Sequence, residues 1–310
     1  MSSNGKQKTP QSVIRIPYSG AGSALLTGPW RTPGYLMVIG GADRLDPDAR
    51  LARLFIQLVE RVTVHSAQRD IVLVSTATRH PEVLTAEYVR IFTRLGVPRA
   101  HIHAPYIRNR DEAQEFANTK LLSEAAGVFI TGGDQYALTQ TLDRSPAEEA
   151  IRLAYQRGAV VAGTSAGATA MGRPMVVAGG GSGELRMGMV QMSHGLGWVG
   201  DDMIIDTHFG ARGRFPRLAS AVAEHPNALG IGIDENTCLL VDGLKHCIVA
   251  GSGVVYFLDA GRIEANSASA AHSGQPISIG PVNVTMLADG GEYDLRARRI
   301  LLAAGDATKV

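Results

Sequence analysis

Apolar residues alternate between two patterns through the first two thirds of the chain. Short runs are apolar throughout: Gly34 to Ile39, Ile71 to Val74, Val128 to Thr131, Val160 to Ala162, Met203 to Ile205 and Leu229 to Ile233. Their length and uniformity are those of buried strands. Between them, apolar residues recur at helical spacing. Pro47 to Val62 lines up Leu51, Leu54, Phe55, Leu58, Val59 and Val62, and Pro81 to Leu95, Asp111 to Ala126, Ala147 to Arg157 and Leu218 to Glu224 also read as helices. Pro81 suits a first helical turn, and Gly158 ends a helix just before the next strand. Ile102 marks a short strand. Uniformly apolar strands separated by helices predict an α/β fold, with a mostly parallel sheet covered by helices on both faces.

From Asn236 onward the pattern changes to alternating apolar and polar residues, with turn signals at Asp242-Gly243, Asp259-Ala260-Gly261 and Asp289-Gly290-Gly291. That end is expected to be mostly antiparallel β. Met175 to Trp198 is rich in Gly and Met, and Gly179-Gly180-Gly181-Ser182-Gly183 reads as part of a mobile loop over a crevice. Residues 1–30 form a polar, partly disordered extension. No repeat or linker interrupts residues 31–310, which read as a single α/β domain.

Composition adds little beyond exclusions. Across 310 residues, 45% hydrophobic and 19% charged content with a formal net charge of +1 is ordinary for a globular protein. It gives no argument for a nucleic-acid partner or a membrane surface. No apolar run spans a bilayer, and the first residues lack the apolar core of a secretion signal, so a cytoplasmic enzyme is expected. The two cysteines cannot form a disulfide framework. A two-residue hairpin at Asp242-Gly243 would set Cys238 opposite Cys247, as neighbouring reduced thiols able to pair on oxidation.

Chemistry concentrates at strand ends. The run through Val160 leads into Gly163-Thr164-Ser165-Ala166-Gly167 and then into small residues that suit a helix. Gly-x-Ser-x-Gly between a strand and a helix is the layout of a nucleophile elbow, with the serine strained and exposed at the turn. The N–H of Ala166 is then free to point at a developing oxyanion. A serine needs a base, and among nine histidines His208 stands out, because it follows the strand Met203 to Ile205 much as Ser165 follows its own. Leu229 to Ile233 ends in Asp234-Glu235, two adjacent carboxylates that face opposite ways. Either could orient the histidine, and spacing alone does not choose. Arg212, Arg214 and Arg217 follow His208 closely, and guanidiniums beside a catalytic base suit a ligand that carries carboxylates. Gly40-Gly41 and Gly132-Gly133 also close strands, and such turns converge on the crevice of an open parallel sheet. No cluster of His, Cys and carboxylates at metal-ligand spacing argues for a metal.

Taken in order, Thr131-Gly132-Gly133-Asp134-Gln135, Gly163-Thr164-Ser165-Ala166-Gly167-Ala168, Asp206-Thr207-His208-Phe209, Arg212-Gly213-Arg214 with Arg217-Leu218, and Gly232-Ile233-Asp234-Glu235-Asn236-Thr237 resemble the motifs of cyanophycinases, serine peptidases related to aspartyl dipeptidases. The resemblance runs from about Gly34 to beyond Thr237 and leaves out the leading extension. It implies a flavodoxin-like sheet related to class I glutamine amidotransferases, and a homodimer. It also implies exo-hydrolysis of cyanophycin, a poly-aspartate carrying arginine on each side-chain carboxylate, to β-aspartyl-arginine dipeptides without a cofactor. Carried over, Ser165 is the nucleophile, His208 the base and Glu235 its orienting carboxylate. Ala166 with Gly133 or Asp134 supplies the oxyanion donors, and Gln135, Asp206, Thr207, Arg212, Arg214 and Arg217 line the substrate pocket. Position 207 departs from the pattern, because Thr stands where the family usually has Gln, and a hydroxyl there replaces a pocket amide. The alternatives are a dipeptidase for short Asp-initiated or β-aspartyl peptides that uses the same triad, and a non-catalytic binding homologue.

Overall fold

The computed structural model describes residues 34–63, 69–180, 185–243, 246–261 and 264–302. The reading of residues 1–30 as an extension lies outside the described residues. Five strands follow one another along the first half: β1 (Tyr35–Ile39), β2 (Ile71–Val74), β3 (Ile102–His103), β4 (Gly127–Ile130) and β5 (Val160–Thr164). They pair in parallel in the order β3-β2-β4-β5-β1. Every residue of β1, β2, β4 and β5 is buried, the physical reason for their unbroken apolar runs.

Helices cover both faces. On one side α1 (Arg50–Val62) and α2 (Pro81–Arg94) pack Phe55, Tyr88 and Phe92 against Tyr35, Met37, Ile39 and Phe129. On the other, α3 (Phe116–Glu124), α4 (Gln135–Leu142) and α5 (Pro146–Gln156) bring Leu122, Leu138, Leu142 and Ile151 against Leu36, Val38, Val128 and Val161. The strand residues divide between the two faces by alternation, as the pleat requires.

Several boundaries differ from the sequence reading. Ala49 is left-handed (φ 48°), and Asp46 accepts the N–H of Arg50 at 3.0 Å, so α1 starts at Arg50 rather than Pro47. The expected helix over 111–126 is split, because Glu115 is extended (φ −62°, ψ 130°) between a short 3-10 turn and α3. Helix α4 has no counterpart in the sequence reading. Asp134 caps it by accepting from the N–H groups of Tyr136 and Ala137.

Beyond the elbow helix α6 (Ala166–Thr169), the stretch expected as a mobile loop contains an antiparallel ribbon of β6 (Met175–Gly179) and β7 (Val190–Ser193), whose Val176 and Val190 are buried. Residues 181–184, the remainder of the glycine run, lie outside the described residues.

The strands that carry the candidate base and carboxylate are not part of the main sheet. β8 (Met203–Thr207) and β9 (Leu229–Ile233), separated by α7 (Phe215–Glu224), pair in parallel within a second, four-stranded sheet. β10 (Thr237–Asp242) and β11 (His246–Gly251) extend the main sheet antiparallel from β1. The second sheet is completed by β12 (Val255–Asp259) and β15 (Asn283–Leu287), in the order β15-β12-β9-β8. Between these two strands β13 (Ala265–Asn266) pairs with β14 (Ile279–Gly280), and β16 (Glu292–Asp294) with β17 (Arg299–Leu302) closes the far edge of the main sheet. One face of the second sheet shares the main core through Ile205, Ile231 and Val255, and α7 covers the other with Leu218 and Val222.

The cysteine expectation fails. The β10–β11 hairpin closes on Asp242 opposite His246, a longer connection than the two-residue turn that Asp242-Gly243 suggests. Cys247 therefore faces Val241, and Cys238 faces Ala250. The two thiols join the cores on opposite faces of the sheet and cannot meet. Among the described residues no helix is long and apolar enough to cross a membrane.

Candidate active site

Register explains why three distant segments meet. Ile39 at the end of β1 is level with Thr164 at the end of β5 and with Cys238 near the start of β10. In the second sheet, Thr207 at the end of β8 is level with Ile233 at the end of β9. The chain passes from β9 of one sheet to β10 of the other through Asp234, Glu235 and Asn236. These residues therefore occupy the corner between the sheets, beside the residues that follow β8.

The turn after β1 joins the two rims. The Gly40 carbonyl accepts the N–H of His208 at 2.8 Å, and the Gly41 carbonyl accepts the N–H of Asn236 at 2.9 Å. Gly41 (φ 102°) is backed against the imidazole, where a Cβ would come within 2.4 Å of the His208 ring. Only glycine fits there.

Ser165 follows β5 at φ 52° and ψ −112°, a conformation that L residues rarely adopt. Gly163 makes the elbow possible, since a Cβ there would lie 2.5 Å from the Gly167 carbonyl oxygen. His208, also left-handed (φ 50°), stands 2.9 Å from Ser165 Oγ through Nε2 and 2.6 Å from Glu235 Oε1 through Nδ1. A carboxylate can only accept, so Nδ1 carries the proton, and the Nε2 lone pair is left to accept from the serine hydroxyl. Of the two carboxylates that the spacing left open, Glu235 faces the ring. Asp234 instead accepts the N–H groups of Gly210 at 2.8 Å and Val254 at 3.1 Å.

Partial burial lowers the His208 pKa below its ordinary 6.5, against the hydrogen bond that the ring donates to Glu235, which raises it; Arg212 and Arg214 lower it further. The imidazole is thus neutral, the form a base requires, at neutral pH.

The expected pocket residues separate into distinct roles. Asp206 is wholly buried and accepts from both Arg217 and Arg214, with Arg217 Nε at 2.8 Å from Oδ2 and Arg214 Nη1 at 3.2 Å from Oδ1. Arg214 also donates to the Thr207 carbonyl at 2.6 Å, and burial brings its pKa down to about 10, which leaves it charged at neutral pH. Thr207 is buried too, its hydroxyl 3.3 Å from that of Thr169 on the elbow helix α6. Asp206, Thr207 and Arg217 therefore do not line an open pocket. Asp206 and Arg217 form a buried ion pair and Thr207 meets Thr169, because β8 runs two residues past its predicted end and keeps both of its last side chains buried next to His208 in the chain.

Arg212 is exposed, and among the described residues it makes no ion pair. Gln135 donates to the carbonyls of Val176 at 2.8 Å and Val177 at 3.0 Å, which braces β6. Asp134 does not offer its N–H to an oxyanion, because that group donates to the Ala77 carbonyl at 2.7 Å. That leaves the N–H groups of Gly133 and Ala166 as the candidate oxyanion donors, and a Cβ on Gly132 of the same turn would lie 3.2 Å from the Ser165 Cβ. Among the described residues no group of three or more His, Cys, Asp or Glu side chains is placed to hold a metal ion.

Sequence reasoning did not identify Asp43 or Tyr88, whose side chains meet under the elbow at 2.9 Å. Asp43 belongs to the Gly40-Gly41-Ala42-Asp43 strand end, and that placement was its available signal.

Residues 36–249 match the family described as peptidase family S51. The chain is 34% identical over 290 residues to a protein named cyanophycinase from Trichormus variabilis, covering 93% of this chain and 94% of that one. A cyanophycinase of Nostoc sp. matches to the same extent. A third, from Synechococcus elongatus, is 31% identical over 268 residues, covering 86% of this chain and 81% of the relative. In three dimensions the chain is similar to the crystal structure of a peptidase from an acI-B1 Actinobacterium, with a TM-score of 0.64 at 21% identity, over 85% of this chain and 97% of that one. That likeness concerns the fold.

Proposed function

The chain belongs to peptidase family S51 and is a hydrolase, and from that premise we propose that it hydrolyses cyanophycin to β-aspartyl-arginine dipeptides through a Ser165-His208-Glu235 triad. The names of the relatives supply the substrate. The mechanism is carried by one observation, the continuous hydrogen-bonded line from Ser165 Oγ through the imidazole to Glu235.

In this reading Ser165 attacks a main-chain carbonyl beside an arginine-bearing aspartate while Nε2 of His208 takes its proton. The N–H groups of Ala166 and Gly133 stabilise the tetrahedral oxyanion, where preorganised donors contribute most. His208 then protonates the leaving amine, and a water molecule, deprotonated by the same imidazole, releases the acyl group. Glu235 holds the tautomer and stabilises the imidazolium without taking the proton itself. Arg212, exposed beside His208, receives a substrate carboxylate and favours cleavage at a chain end. A homodimer and a cytoplasmic location complete the proposal.

The relatives do not favour the dipeptidase alternative. The test offers purified cyanophycin and short Asp-initiated dipeptides in parallel and reads product masses. The expected outcome is release of β-aspartyl-arginine from the polymer, a Ser165→Ala variant slower by on the order of a millionfold, and little turnover of the short peptides. Dipeptide release by Ser165→Ala at the parent rate would defeat the nucleophile assignment, and preference for the short peptides would defeat the substrate.

A further inference from the structure

Asp43 leaves the β1 turn with 3% exposure and has no part in the chemistry above. Hydroxyls engage both of its oxygens: Thr164 donates to Oδ1, and Tyr88 of α2 donates to Oδ2 at 2.9 Å. Its neighbour Arg44 turns outward to Glu87 at 2.9 Å. Burial raises the pKa of this carboxyl against the two hydroxyl bonds that favour its ionised form, so the site is costly to keep. What it joins is specific. Thr164 immediately precedes Ser165, and the backbone on the other side of Asp43 is the Gly40–Gly41 turn, whose carbonyls hold the N–H groups of His208 and Asn236. Between them Ala42 is held left-handed at φ 60°, a strained conformation that needs outside support.

We infer that Asp43 is a positioning residue, which fixes the strand leading to Ser165 and the Gly40–Gly41 turn that holds the His208 backbone in one register and so sets the approach of Ser165 to His208. Deleting its bonds frees the Gly41 turn to withdraw from the imidazole. Water then reaches the ring and relieves the burial that lowers its pKa. Glu235, Arg212 and Arg214, the charged groups around His208, are untouched by such a change.

The inference rests on the serine-peptidase reading only through the Ser165–His208 pair, so two readouts are taken on the full chain without any peptide. One is the rate at which a fluorophosphonate labels Ser165; the other is the pKa of the His208 imidazole by NMR titration. Asp43→Ala and Thr164→Val should slow labelling at pH 7 tenfold or more and raise the imidazole pKa toward the ordinary histidine value. Asp43→Asn, whose amide oxygen still accepts from Thr164, should restore most of the rate. Thr164→Val keeps the volume and decides the matter even where Asp43→Ala does not fold. Labelling within threefold of the parent and an unmoved imidazole pKa in Thr164→Val would overturn the inference. The imidazole pKa is read whether or not Ser165 reacts, so an unlabelled parent chain would count against the peptidase reading alone.

Discussion

His208 is pulled in two directions, with Glu235 raising its proton affinity and burial, Arg212 and Arg214 lowering it. Burial is the largest of these. A base that loses function when protonated should therefore show an acid limb of kcat/KM with its midpoint below 6.5, the ordinary histidine value. Arg212→Gln removes one of the cations that disfavour the imidazolium, so the midpoint should rise toward 6.5 while KM for the carboxylate-bearing substrate increases. A pH–rate profile of both proteins checks the sign, and a midpoint that falls in the variant contradicts it. At this scale the sequence was partly legible. Ser165 and His208 announce themselves because each follows an apolar strand. The choice between Asp234 and Glu235 does not follow from strand alternation, because the chain leaves β9 and changes sheets at those residues. Asp234 is spent on the N–H groups of Gly210 and Val254, partners remote in sequence.

Elements account for what the motif residues do apart from the chemistry. β8 continues through Asp206 and Thr207, and that continuation buries both side chains and draws Arg214 and Arg217 in after them. Taken as a motif, Asp206-Thr207-His208 reads as pocket, whereas as a strand end it reads as support. The distinction is measurable. Asp206→Ala leaves two guanidiniums facing a vacated buried site and should cost about 3–5 kcal/mol of stability, seen as a lower midpoint in urea unfolding. A loss confined to KM, with the midpoint unchanged, would restore Asp206 to the pocket. The parallel strands were readable because burial on both faces makes them uniformly apolar. The β10–β11 register was not. The dipeptide Asp242-Gly243 signals a tight turn, but the hairpin closes on Asp242 opposite His246, a register shift of three residues that sets Cys238 against Ala250 rather than Cys247. Helix α4 escaped because its signal is a cap, Asp134, inside a glycine turn that already had a functional reading.

On the scale of the whole molecule, the proposed triad spans two sheets that share one core. Ser165 stands on the rim of the nine-stranded sheet, His208 on the rim of the four-stranded one, and Glu235 on the crossing between them. The α/β class was visible in the apolar pattern, but the division into two sheets was not, since β8 and β9 are as uniformly buried as the strands of the main sheet. In the proposed mechanism the reactivity of the serine depends on this join holding. It is tested most directly by treating the folded chain with a fluorophosphonate and mapping the adduct by peptide mass. One adduct per chain on the peptide containing Ser165, lost in His208→Ala, is the predicted result; a chain left unmodified, or modified equally well without His208, would contradict it.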